Sequence, residues 1–181
     1  FLDLSSLPSS ISSIVCYGIG TFGGVRHASA SMWQLACAMA ILGSLNEAKK
    51  SDKEDATGGT TSNIDMVFFD PCMTSDEAAF LESNSIGVIS SNERGKRLVN
   101  DTNLFFMPHC PMSLYTNVLH TNWDHLFHGR VIIFGNSLSA YANRLEMNAN
   151  VKLLQQLQPH WTESSITMSK EDIAAMPGYF E

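Results

Sequence analysis

Four stretches of this 181-residue chain end an apolar run in residues that could do chemistry. Ile14–Tyr17 runs into Gly18-Ile19-Gly20-Thr21-Phe22-Gly23. Met66–Phe69 runs into Asp70-Pro71-Cys72, and Leu104–Met107 into Pro108-His109-Cys110-Pro111. Val131–Phe134 runs into Gly135-Asn136-Ser137. The first has the form G-x-G-x-x-G directly after a strand, where glycines let backbone approach a phosphate or nucleoside. Its third glycine should open a helix, but Gly24-Val25-Arg26-His27-Ala28 intervene, so a plain strand-to-helix turn is an equal reading. Asp70 stands where an acid accepts hydrogen bonds from ribose hydroxyls, and equally where it caps the following segment.

Pro108-His109-Cys110-Pro111 offers a thiol before a helix. A helix N-terminus lowers a cysteine's pKa, and Pro111 suits a first helical turn. The H-C-x5-R phosphatase pattern fails, because residue 116 is Thr. His109 and Cys110 are the only catalytic candidates, and adjacent residues rarely form a dyad. Cys110 could ligate haem iron through its thiolate. A rigid structural turn is the favoured reading. Cys72, His109 and Cys110 match no zinc spacing, so no metal is expected. Gly135-Asn136-Ser137 supplies a turn, an amide and a helix cap. The candidate ligand-binding set is Gly18, Gly20, Asp70, His109, Cys110, Asn136 and Ser137. It would serve a small ligand such as S-adenosylmethionine or a dinucleotide, with haem a weaker candidate. His120, His125 and His128 read as surface residues.

These residues need elements to hold them. Strands expected at Ile14–Tyr17, Asp65–Phe69, Ile86–Ser90, Leu104–Met107 and Val131–Phe134 alternate with helical segments. Alternation argues for a parallel sheet with helices on both faces. Right-handed crossovers favour the order 3-2-1-4-5, a Rossmann-like three-layer α/β sandwich. All four polar ends then share one edge, where such sheets bind ligands.

A helix capped by Ser29 or Ser31 should run to about Leu45. It is apolar nearly all round and should be buried on most sides. Residues 46–63 read as a flexible surface loop. Thr74 or Ser75 caps a helix ending near Asn84, with Asp76 and Glu77 suited to its first turn. Residues 92–100 form a charged turn or helix. One amphipathic helix spans 112–127, with Leu114, Val118, Leu119, Trp123 and Leu126 as its apolar set. Asn117, Asn122 and Trp123 on it read mainly as packing or surface residues. Further helices cover 137–146 and 151–158. A helix or arm over 1–13, a strand near 165–168 and a short helix capped by Ser169 complete the reading.

The length fits one domain, residues 1–181, with its core at about 14–146. Hydrophobic residues make up 44% and charged residues 16%, a globular balance. The net charge is −7 and basic residues are scattered, against a nucleic-acid face. No apolar run approaches the roughly 18 residues of a membrane span. Phe1-Leu2-Asp3-Leu4 lacks the basic flank of a signal peptide and reads as part of a longer chain. Four cysteines without a C-x-x-C pair suggest a reduced, intracellular protein, with Cys16 and Cys37 in the core.

The same stretches resemble the sensitivity-to-red-light-reduced (SRR) domain family. The likeness lies in Cys16-Tyr17-Gly18-Ile19-Gly20, Gln34-Leu35-Ala36, Asp70-Pro71, Glu77 and Gly87. It continues through 102–111, Leu114-Tyr115, Asn117, Leu119 and Asn122-Trp123, then Ile132–Ser137 and Tyr141. Cys72-Met73 departs from the family's aliphatic-Phe pair. A further Asn-Asp-Thr segment and strand of the family is absent after Glu181, so part of the sheet is expected beyond this sequence. The resemblance implies a regulatory protein, cytoplasmic and nuclear, with protein partners and no settled reaction. Plant relatives are linked to light signalling and the circadian clock, animal relatives to clock-gene expression and haem biosynthesis. A methyltransferase-like enzyme using S-adenosylmethionine and a haem-binding regulator acting through Cys110 are the alternatives.

Overall fold

The computed structural model describes residues 7–8, 10–23, 28–54, 63–145 and 148–165. Its five strands are β1 (Ser13–Tyr17), β2 (Asp65–Phe69), β3 (Gly87–Val88), β4 (Asn103–Met107) and β5 (Val131–Gly135). They form one sheet in the order β3-β2-β1-β4-β5, every pairing parallel, as the alternation predicts. The register aligns Tyr17 with Phe69, Cys16 with Phe106, and Met107 with Gly135. Gly18, Asp70, Pro108 and Asn136 therefore follow at the same edge. The order reverses between β1 and β4, the switch point of such folds.

Period-two alternation sorts the strand side chains onto two faces. Ile14, Cys16, Met66, Phe68, Leu104 and Phe106 face one way. They pack with Leu35, Ala38, Ile41 and Leu45 of α1 (Ala28–Glu54) and Leu81 of α2 (Ser75–Ser83). Val15, Tyr17, Phe105 and Met107 face the other way. They pack with α3 (Met112–Thr121), α5 (Leu138–Ala142) and α6 (Ala149–Leu157), giving three layers. α4 is the short turn Trp123–Leu126. No helix among the described residues is long and apolar enough to cross a membrane.

Several expectations are corrected. α1 starts at Ala28, upstream of both serines proposed as its cap, and continues to Glu54. The polar stretch 46–54 is thus helical, because Ala, Glu and Lys extend a nucleated helix at little cost without apolar periodicity. Nor is α1 buried on most sides: Met32, Trp33, Ala36 and Ala40 are exposed, since the sheet covers one stripe.

The helix expected over 112–127 breaks at Asn122. That side chain is fully buried. It accepts from Val99 N–H at 2.9 Å and donates to the Arg97 and Val118 carbonyls at 2.8 and 2.9 Å. Asn117 adds a bond to the Arg94 carbonyl, so two asparagines pin segment 94–99, which forms no helix. Trp123, one of the expected apolar set, is 38% exposed, whereas Tyr115, outside that set, is fully buried. The helix expected over 137–146 is shorter, Leu138–Ala142. The expectations for 1–6, 55–62 and 166–181 lie outside the described residues.

Candidate functional site

The glycine turn after β1 bends through left-handed backbone at Gly18 (φ +69°) and Gly20 (φ +83°), which side-chain-bearing residues rarely adopt. Two carboxylates hold it. Asp70 Oδ2 accepts the Gly20 N–H at 2.7 Å, and its Oδ1 accepts the Cys72 N–H at 2.8 Å. Asp70 is thus a cap for its own turn and a tie to the glycine loop.

Glu77 Oε1 accepts the Thr21 hydroxyl at 2.6 Å and the Phe22 and Gly23 N–H groups at 2.5 and 2.6 Å. Its Oε2 closes the capping box of α2, accepting from Thr74 N–H at 2.8 Å and the Thr74 hydroxyl at 3.1 Å. Glu77 is 3% exposed. Burial works against its charge, but the hydrogen bonds from Thr21, Thr74, Gly23 and Phe22 outweigh it. They hold the pKa at about 2 against an ordinary 4.5.

The Pro108–Pro111 turn comes next along the edge. His109 is exposed and takes a positive φ of +58°. Its N–H donates to Asn136 Oδ1 at 2.9 Å. Asn136 Nδ2 donates to the Tyr141 hydroxyl at 2.7 Å and the Cys110 carbonyl at 3.3 Å. Tyr115 Oη donates to the Met107 carbonyl and accepts the Asn136 N–H. Ser137 is exposed and caps α5, accepting from Ala140 N–H at 2.9 Å.

Cys110 is 3% exposed, and its thiol donates to the Tyr17 carbonyl at 3.3 Å. Burial, with the nearby Asp70 charge, pushes the thiol pKa up to about 12. The helix-terminus argument for a thiolate therefore gives way to desolvation. α3 begins at Met112 with Pro111 as its N-cap, leaving Cys110 outside the helix. A Cβ on Gly18 would lie 2.6 Å from Cys110 Sγ, so the thiol fills the space above the first glycine.

The edge is therefore continuous: Gly20 to Asp70, Gly18 to Cys110, and His109 to Asn136. Among the described residues no three His, Cys, Asp or Glu side chains gather as metal ligands, and Cys72 is exposed.

Sequence reasoning missed the loop-holding role of Glu77. Its Thr-x-x-Glu capping box was readable in the sequence, but its partners at 21–23 lie more than fifty residues away. Gln34, read in the sequence only as part of the family likeness, is buried as well. A lone amide within the apolar run from Met32 to Leu42 was its signal.

A first prediction follows from Cys110. Replacement by Ser keeps a donor for the Tyr17 carbonyl and should cost about 1 kcal/mol in urea unfolding. Titration with haemin should give the same spectrum in wild type and Cys110→Ser. A Soret shift that depends on Cys110 would show that the thiol leaves its buried position to bind iron.

A family model described as the SRR1 domain matches residues 3–180. The SRR1-like protein of Mus musculus is 32% identical over 176 residues, covering 96% of this chain and 60% of its own. Protein SENSITIVITY TO RED LIGHT REDUCED 1 of Arabidopsis thaliana is 39% identical over 83 residues, 46% of this chain and 30% of its own. The SRR1-like protein of Drosophila melanogaster is 25% identical over 135 residues, 75% of this chain and 42% of its own. The chain thus spans less than two thirds of the length of each of these relatives. No solved structure gives a match. With the family model running nearly end to end over the fold and strand ends described above, the chain belongs to the SRR1 domain family.

Proposed function

We propose that this domain is the ligand-responsive part of a regulatory protein. It acts in the cytoplasm and nucleus through protein partners, and the ligand sits at the carboxyl edge of the sheet. The observation that supports this most is the continuity of that edge, where the ends of β1, β2, β4 and β5 are joined by side-chain bonds and contacts. A ligand touching the glycine turn meets groups tied to Asp70, Glu77 and the Pro108–Pro111 turn together. Its binding can thus be felt at α2 and α3. The processes regulated are those to which the SRR resemblance points: light and circadian signalling and the control of haem biosynthesis. In this reading Cys110 positions the wall of the site.

Gly20→Val tests the reading. A Cβ there would lie 3.0 Å from Ser31 Oγ, in a backbone conformation that Val resists. In source cells carrying this variant at normal abundance, rhythmic transcripts and total haem should depart from wild type. Unchanged transcripts and unchanged haem would overturn the proposal.

A further inference from the structure

The glycine turn follows a strand as phosphate-binding turns do, but its Gly18, Gly20, Phe22 and Gly23 N–H donors are already taken. A phosphate cradle works because backbone N–H groups point at the anion. Here the Gly20 N–H goes to Asp70, and the Phe22 and Gly23 N–H groups go to Glu77. The Thr21 hydroxyl goes to Glu77 as well. A phosphate would have to displace one carboxylate and then lie beside the other, an arrangement that like charges oppose.

A second, independent observation concerns Gln34 on α1. It is 6% exposed, and its Oε1 has no hydrogen-bond donor among the described residues. Buried acceptors are almost always paired, and an orphan asks for a donor from outside the described residues, such as a water or a ligand. Gln34 lies one helical turn after Ser31, on the same side of α1. Ser31 Oγ is the atom 3.0 Å from a Cβ placed on Gly20. Two carboxylates thus hold the glycine turn and the Gly18, Gly20, Phe22 and Gly23 N–H groups are used, while the helical turn of α1 that begins at Ser31 carries an unpaired amide oxygen.

We infer that the site beside the β1 turn takes a phosphate-free nucleoside-type ligand that brings N–H donors or positive charge, and rejects phosphorylated nucleotides. S-adenosylmethionine has that chemistry: its adenine amino group, ammonium and sulfonium outweigh its one carboxylate and leave it a net cation. NAD and ATP do not, because the groups they would place at the turn are anionic. This inference rests on the reading above that the edge is a ligand site, and it chooses between the two cofactor classes the sequence leaves open.

Calorimetry on this chain with S-adenosylmethionine, NAD, ATP and inorganic pyrophosphate tests it. S-adenosylmethionine should bind at least about tenfold more tightly than each of the other three, about 1.4 kcal/mol. During that titration the Gln34 side-chain amide resonances should shift. Gln34→Met, close in shape, should weaken S-adenosylmethionine by about tenfold or more without lowering the melting temperature of the free protein, because it removes an unpaired buried acceptor. NAD, ATP or pyrophosphate binding as tightly as S-adenosylmethionine would overturn the inference and leave the edge a ligand site. Binding by none of the four at millimolar concentration would overturn the inference and the ligand site together. S-adenosylmethionine binding with unmoved Gln34 resonances and unchanged affinity in Gln34→Met would refute the part given to Gln34.

Discussion

Glu77→Ala is expected to destabilise the domain by about 3 kcal/mol, since a hydrogen bond to a charged group contributes roughly 1.5–3 kcal/mol, while the exposed Gly23 and Thr74 donors regain water and the half-buried Thr21 and Phe22 donors regain it only in part. The substitution strips partners from the Phe22, Gly23 and Thr74 N–H groups and from the Thr21 hydroxyl. Glu77→Gln keeps one oxygen but turns an NH2 against donors on the other side, so it should fall between Ala and wild type. Urea unfolding at neutral pH measures both.

The same carboxylate makes stability depend on pH with a defined sign. Its folded pKa, about 2, lies below the ordinary 4.5. A depressed pKa means its contribution is whole above the unfolded value and is lost as pH falls through the folded value. The wild type should therefore lose stability between about pH 5 and about pH 2. Glu77→Gln should show a flatter profile over that window. A profile as steep as wild type would place the acid sensitivity elsewhere.

Gly135→Ala is expected to cost about 3 kcal/mol, at the upper end of overpacking effects, because nothing nearby can yield. A Cβ at this last residue of β5 would lie 2.5 Å from Tyr115 Oη, 2.9 Å from its Cε1 and 3.0 Å from the Met107 carbonyl oxygen. Tyr115 is fully buried, and its hydroxyl is bonded on both sides, to Met107 and Asn136. Tyr115→Phe alone should cost about 1–2 kcal/mol through the lost hydroxyl bonds. The double variant should be more stable than the sum of the two by about 1 kcal/mol, because removing the hydroxyl makes room for the methyl group. Strict additivity in a thermal or urea double-mutant cycle would mean that Tyr115 does not set the spacing at the end of β5.

The topology was legible because each apolar run is bounded by polar or glycine residues and separated from the next by a helical segment. Parallel pairing then left one strand order in favour, and with it the edge where Gly18, Asp70, His109 and Asn136 meet. What those side chains do at the edge was less legible. Asp70 looks the same in sequence whether it awaits a ribose or caps its own turn. Only the fold brings the Gly20 N–H to it across fifty residues. Cys110 reads as activated by the helix after it, yet desolvation against the end of β1 wins. The length of α1 was hidden because residues 46–54 propagate a helix by propensity alone, with no apolar stripe to mark it. Trp123 left the expected apolar set because Asn122 ends the helix before it, and the partners of Asn122 at 97 and 99 come from another segment.

Native mass spectrometry of the protein isolated from its own cells tests the central claim most directly, that the carboxyl edge of this sheet is a small-ligand site. Wild type is predicted to carry a dissociable adduct of a few hundred daltons. Gly20→Val, folded by circular dichroism, is predicted to carry none. Wild type free of any adduct, or an adduct kept in full by Gly20→Val, would contradict the account.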